Sequence, residues 1–509
     1  MAPVNAAVQS TDSLDALDAT APRDVRVAIV GAGFGGLGAA IRLREEGIDD
    51  VLILERAAEL GGTWRENTYP GAACDVPSQL YSFSFALNPD WTRFYAPQAE
   101  ILEYLRRTAR ERGLEECIRF GADLRSARWD QARQRWRIET AGGLVTAQAL
   151  VAAAGPLSEP SVPDVRGLGS FTGTVFHSAR WRHDHDLTGR RVAVIGTGAS
   201  AAQFVPHVRG KAAHTDVYQR TPGWILPRLD RTIGPRTRAL FRRRPAAQRL
   251  ARNAIYYTAE LLVVGLVHDK RALSPFEAIA RIKLRRAVRD PTLRSKLTPN
   301  YRIGCKRIIF SADYLPALAS PNVGLVTDAI ARIEPEGILT ADGTFRPVDT
   351  IILGTGFKAF DSPVAHRIVG TDGRSLAEAW GPAGPQAYVG TVIAGFPNLF
   401  FLIGPNTGLG NNSMINLIEA QVEFVVRALH GMEAAGVGAI DVRTEVQDEY
   451  NAWLQERMVG TAWTDGGCQS WYLTADGTNR TLWPNFSDAF RRRLRRFDLG
   501  DFRTAPGRR

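Results

Sequence analysis

An α/β fold of two parallel-sheet units carrying a helical insert is predicted by three features of the 509-residue sequence. Two stretches, VRVAIVGAGFGG from Val25 to Gly36 and RVAVIGTGASA from Arg191 to Ala201, each read as a buried strand, a glycine turn and the start of a helix. Each is followed by a further strand, VLILE in the first case and TDVYQ in the second, as a βαβ unit requires. Between Arg228 and Arg302 the pattern changes to basic, mostly helical sequence.

A chain of this length exceeds one core, and 45% hydrophobic residues with 48 Gly suit a loop-rich α/β protein. The expected division is a first unit at 24–159 and 358–490, a second at 160–227 and 303–357, and the insert at 228–302, with a disordered tail at 1–23 and a basic, solvated tail at 491–509. The first 23 residues lack the long apolar run of a signal peptide, so a cytoplasmic start is expected. The longest apolar run, Leu261 to Val267, falls well short of the ~20 residues a bilayer needs, and no spanning segment is expected. Cys74, Cys117, Cys305 and Cys468 are scattered without CxxC or Cys/His ligand spacing, which argues against a disulfide framework and a metal site and for reduced thiols.

The net charge of +10 is concentrated. Residues 228–302 hold 19 Lys or Arg against five Asp or Glu, a balance of +14 that leaves the rest near −4. This stripe lacks interleaved aromatics or a nucleic-acid motif, so a solvated helical face is expected rather than a nucleic-acid site. Its apolar stretch Ala254 to His268 is expected as a buried helix beneath the basic ones, with a tunnel wall or shallow contact with an anionic membrane surface as alternatives.

In the first signature, Gly31, Gly33 and Gly36 allow a tight turn and close approach of backbone to a pyrophosphate at the helix N-terminus. Glu55, nineteen residues after Gly36, sits where a carboxylate accepts hydrogen bonds from a ribose, which favours FAD or NAD over NADP. The second signature has Gly196 and Gly198 with Ala201 in the third place, and its following strand leads to Arg220 and Thr221 instead of an acid. A cation there accommodates a 2′-phosphate, so this Rossmann-like unit should prefer NADP(H), leaving the other for a flavin.

Between the signatures lie two longer matches. GGTWRENTYPGAACD, with Gly62, Trp64, Tyr69, Pro70, Gly71 and Asp75, and FTGTVFHSARWRHD, with Phe171, Gly173, His177 and Trp181, resemble the two fingerprints of the type I Baeyer-Villiger monooxygenases, class B flavoprotein monooxygenases. Arg182 departs from the Pro or Asp that follows the Trp in that pattern. The resemblance runs over about 24–490 and implies two Rossmann-like domains, for FAD and NADP, with the insert narrowing the substrate entrance. It also implies an NADPH- and O2-dependent insertion of oxygen next to a ketone carbonyl, giving an ester or lactone through a C4a-peroxyflavin.

What the resemblance implies residue by residue is as follows. Asp75 lies near the reactive end of the flavin; of the pair Lys306 and Arg307, the lysine reaches the 2′-phosphate and the arginine, held by Asp75 in a bidentate pair, is catalytic. Gly31, Gly33, Phe34, Gly36, Glu55, Arg56, Gly62, Thr63, Trp64, Asp75 and Tyr81 are expected at FAD; Gly196, Thr197, Gly198, Ala199, Ser200, Arg220, Thr221, Lys306 and Trp471 at NADP. A helix starting near Asn412 would aim its N-terminus at the flavin. Arg182 keeps open a related flavoprotein that oxygenates nitrogen or sulfur; a non-oxygenating NADPH-flavin reductase and a nucleotide-binding regulator are further alternatives. Neither the ketone nor the oligomeric state is legible.

Overall fold

The computed structural model describes residues 23–359 and 361–507, so of the disordered tail expected at 1–23 only Arg23 is described, and it opens the first strand, while the rest lies outside the described residues. Arg23–Val30 is the hub of the first sheet, because Val27, Ala28 and Ile29 have apolar surface to bury on both faces. It pairs in parallel with Val51–Leu54 on one side and Gly143–Ala152 on the other. The Gly143–Ala152 strand changes neighbour along its length: its first half closes an antiparallel hairpin series, Leu124–Asp130 and Arg135–Thr140, while its end pairs with Leu399–Phe401. That return strand brings roughly the last fifth of the 509-residue chain onto the sheet. Helix Gln98–Glu111 buries Ile101, Tyr104, Leu105, Thr108 and Ala109 as one stripe, the period of an amphipathic helix.

The second sheet is wholly parallel, in the order Val323–Val326, His214–Tyr218, Arg191–Ile195, Thr350–Leu353, Thr174–His177. The fingerprint stretch is therefore an edge strand, not a free linker between units. Helices Pro235–Arg243, Pro245–Glu260, Ser274–Ala287 and Pro291–Lys296 form the insert, each with proline in its first turn, where the missing N–H costs nothing.

Three expectations need correction. The stretch Ala254 to His268 is only half covered: Tyr257, Leu261 and Val264 are exposed. Helical structure extends over Pro245–His268, 24 residues, with a turn at Leu261 and a change to π-helix at Val264–His268, and among the described residues this is the one helix long and apolar enough by length and composition to cross a membrane; the apolar run alone hid that extent. The basic end is docked through its apolar face, while Arg492, Arg493, Arg495 and Arg496 stay exposed. Phe490 and Leu494 of helix Ser487–Leu494 are buried, and Phe502–Pro506 pairs antiparallel with Val437–Val442. Finally, Cys305 and Cys468 form a disulfide across 163 residues, with Cα atoms 6.1 Å apart, while Cys74 and Cys117 are free thiols. Sequence spacing cannot reveal such a pair, because only the tertiary path brings its ends together.

Candidate functional site

Both glycine turns open onto one cavity of about 1740 Å³, larger than the roughly 300–1,000 Å³ of a single small-molecule pocket. At the first turn, a Cβ on Gly36 would stand 1.8 Å from the Gly31 carbonyl oxygen, so only glycine lets helix Phe34–Glu45 begin this close to the strand. Gly36 supports the turn without lining the cavity; Gly31, Gly33 and Phe34 do line it. At the second turn Gly196 has φ +111°, and a Cβ there would meet the Gly354 carbonyl oxygen at 2.3 Å. Gly196, Thr197, Gly198, Ala199 and Ser200 all face the same space.

Glu55 is buried at the end of its strand. Its Oε2 accepts from the Ala32 N–H at 2.9 Å and its Oε1 from Ala57 N–H and Arg65 Nη1 at 3.0 and 2.9 Å. A carboxylate has about four acceptor positions, so one remains for a ribose hydroxyl. Arg56, beside it, pairs with Glu66 and Glu159. The wall beyond Gly62 and Thr63 is aromatic: Trp64 Nε1 donates to Tyr81 Oη at 3.1 Å, and Phe34 packs edge-on to Tyr81. Burial pushes the Tyr81 phenol well above its usual range, so it stays neutral.

Opposite, Arg220, Thr221, Lys306 and Trp471 line the cavity. Lys306 has its pKa lowered by burial and then by Arg220, so two cations share one small region. Such a pair fits a phosphate dianion.

Arg307 and Asp75 both line the cavity that the two glycine turns share. Arg307 donates from Nη2 and Nε to the single Oδ2 of Asp75, at 2.7 and 3.2 Å. The expected bidentate pair is thus replaced by two donors from the Nε edge of the guanidinium on one oxygen, which leaves Asp75 Oδ1 without a hydrogen bond among the described residues. Asp75 raises the Arg307 pKa against the opposing effect of burial, so the guanidinium is charged at every working pH. Tyr472, buried behind it, has a phenol pushed up by burial, partly offset by Arg307.

The fingerprint residues Phe171, Gly173, His177 and Trp181 do not line the cavity. Trp181 packs on Phe176 and Phe204, and His177 accepts from Ala179 N–H while stacking edge-on to the cavity residue Phe357. Burial lowers the His177 pKa, keeping it neutral near pH 7. A Cβ on Gly173 would stand 2.5 Å from the Asp349 carbonyl oxygen. Residues around the fingerprint reach the first unit: Arg180 pairs with Glu66, and His183 Nε2 hydrogen-bonds Thr68 Oγ1 at 2.8 Å. Arg182 pairs with its neighbour Asp184 in solvent.

Several residues that hold this arrangement had no signal in the sequence. Gln203, on the helix after the second turn, accepts from Tyr69 Oη at 3.0 Å and from Ala73 N–H at 3.3 Å, and donates to Ala73 O at 3.0 Å. It bolts the Asp75 loop to the other nucleotide cradle. Arg228 donates to the Cys74 carbonyl at 3.2 Å. The disulfide ties Cys305, next to Lys306 and Arg307, to the segment carrying Trp471 and Tyr472. Helix Met414–Ala434 starts at the cavity, with Ser413 Oγ capping Ile415 N–H. Among the described residues no cluster of His, Cys, Asp and Glu could hold a metal ion.

Residues 28–260 match the family model described as pyridine nucleotide-disulphide oxidoreductase. A protein of Streptomyces coelicolor named Baeyer-Villiger monooxygenase is 50% identical over 486 residues, 95% of this chain and 93% of its own length; a protein of the same name from Pseudomonas aeruginosa is 48% identical over 95% and 92%. Among solved structures, an oxidized steroid monooxygenase bound to NADP aligns at TM-score 0.83 and 33% identity over 95% of this chain and all of its own.

Proposed function

The chain belongs to the Baeyer-Villiger monooxygenases, enzymes that use FAD and NADPH, and from that premise we propose how its own residues divide the insertion of oxygen beside a ketone carbonyl. Bound FAD, once reduced by NADPH, supplies the activation of O2. The first cradle fits FAD: its turn admits backbone against a pyrophosphate, and Glu55 keeps an acceptor position for the ribose. The second fits NADPH, with Arg220 and Lys306 at the 2′-phosphate and Trp471 against the nucleotide.

The observation that carries this reading is the Arg307–Asp75 pair on the wall of the cavity that both glycine turns open onto. Arg307 places a permanent cation at the cavity wall and favours negative charge developing on reacting oxygen atoms. Asp75 orients that cation through one oxygen, so the arginine can swing toward either nucleotide without losing its partner. Trp64, Tyr81 and Phe34 close one side to water, which strengthens every charge interaction inside. The start of helix Met414–Ala434 adds partial positive charge from its free N–H groups.

Mass-spectrometric product analysis with NADPH and labelled O2, over a panel of ketones plus a sulfide and a tertiary amine, tests the proposal. Labelled ester or lactone is the expected product. Sulfoxide or N-oxide with no ester would assign heteroatom oxygenation instead, and hydrogen peroxide alone would mean that the cavity does not bring a ketone to the oxidising end.

A further inference from the structure

The helix Pro245–His268 is inside out. Its inward stripe, Gln248, Arg252, Tyr256 and Glu260 at four-residue spacing, is buried. Every member of that stripe is hydrogen-bonded to the body of the protein. Arg252 donates to the carbonyls of Gln79, Leu80 and Ser82 and to Asn416 Oδ1, and Gln248 donates to Gln79 and Asn88. Tyr256 donates to Asp488, while Glu260 accepts from Asn411, Asn412 and Ser487. The outward stripe is apolar: Leu250 is 72% exposed, Tyr257 60% and Leu261 69%, with Val264 continuing it. Steps of seven, four and three residues put these four on one helical face, the reverse of an ordinary surface helix.

We propose that this outward face docks on an anionic lipid bilayer, lying at the surface rather than crossing it. Crossing would strip the hydrogen-bond partners from the buried charge of Arg252. Charge selects the occupant. Arg243, Arg244 and Arg249 at the amino end and Arg271 beyond the carboxyl end are exposed, with no acidic partner among the described residues. The insert's acids are all engaged: Asp230 with Arg93, Glu260 and Glu277 buried, Asp269 and Asp290 as helix caps. A second copy docking through the same face would set these arginines against one another. Nucleic acid would neutralise the cations but leave the leucines in water. An anionic bilayer takes both, burying leucines and tyrosine at the headgroup boundary beneath a cationic rim. Near the carboxyl end of the same helix, Leu266 packs in one cluster with Cys305 and Tyr472, so the bilayer would lie a single helix away from the site, within reach of an apolar substrate dissolved in it.

Flotation of the full-length holoenzyme with phosphatidylglycerol vesicles, and with phosphatidylcholine vesicles, tests this. Binding is expected with phosphatidylglycerol, weakening as salt is raised. Leu250→Glu with Leu261→Glu should reduce the bound fraction about tenfold or more, and Arg243→Glu, Arg244→Glu and Arg249→Glu together should do the same. Both sets are expected to keep the flavin spectrum and turnover of a water-soluble ketone, since these side chains are outside the cavity. No flotation of the wild type would overturn the proposal. So would unchanged flotation of the leucine variant, which would reduce the effect to charge alone, or a wild-type dimer in light scattering that the leucine variant dissolves without any lipid binding.

Discussion

At the level of single residues, the site depends on where charge is fixed and where it can be lost. Arg307 makes both its hydrogen bonds to one oxygen of Asp75. Arg307→Ala should retain FAD but lower product formation by about two orders of magnitude, the usual loss when one oriented electrostatic donor is removed, with electrons diverted to hydrogen peroxide. Anaerobic stopped-flow reduction alongside gas-chromatographic product yield checks this; product at the wild-type rate would make Arg307 a structural cation only. Lys306 carries the opposite lesson, because its lowered pKa in the free protein must rise once a phosphate dianion sits beside it. NADPH affinity should therefore be full below the free-protein pKa of Lys306 and fall as the pH climbs through it toward the bound value. Lys306→Ala should flatten that alkaline loss and raise the KM for NADPH roughly tenfold to a hundredfold, as a charge-assisted hydrogen bond of about 1.5–3 kcal/mol implies. An unchanged alkaline profile in the variant would assign the titration elsewhere.

At the level of elements, two connections hold pieces that the chain separates widely. The Cys305–Cys468 disulfide joins the Lys306–Arg307 turn to the segment bearing Trp471 and Tyr472. Cys305→Ser with Cys468→Ser should lower stability by about 2–4 kcal/mol and raise the KM for NADPH more than it lowers kcat, and a dithiol reductant should do the same to the wild type but nothing to the variant. Steady-state kinetics with thermal unfolding read both, and a variant with wild-type KM would limit the bridge to stability. The second connection is the closing strand pair. Asp441, on Val437–Val442 opposite the C-terminal strand, accepts from Gly395 N–H at 2.9 Å, and burial pushes its pKa up to about 6. A carboxyl whose folded pKa exceeds its unfolded one contributes stability below the unfolded value, about 3.9, and that contribution is lost as the pH rises through 6. Asp441→Asn keeps an acceptor without the charge and should stabilise by about 1–2 kcal/mol at pH 8, with the gain vanishing near pH 4. A gain independent of pH in denaturant titrations would contradict the assignment.

At the level of the whole molecule, two nucleotide cradles share one cavity because the Asp75 loop is fastened to the second unit by Gln203 and by the Arg180–Glu66 and His183–Thr68 contacts. Gln203→Leu should leave each cradle folded yet loosen their relative placement, so hydrogen peroxide should rise at the expense of product while FAD stays bound; tight coupling in that variant would shift the role to the remaining contacts. The sequence by itself determined the parts whose physics is local. Glycine spacing marked both turns, and residues nineteen positions beyond marked the acid and the cation, since each depends on neighbours within a short stretch of chain. The resemblance supplied Asp75, Lys306, Arg307 and Trp471, which no local rule would have joined. Only the tertiary structure decided what depends on contacts between distant segments: the convergence of two Arg307 donors on one oxygen of Asp75, the disulfide across 163 residues, and the docking of the basic C-terminal end as a strand. It also decided which way Pro245–His268 faces. A helix pattern shows that two faces differ, but which one turns inward is set by the partners that meet it, here the carbonyls and side-chain acceptors that take up Arg252.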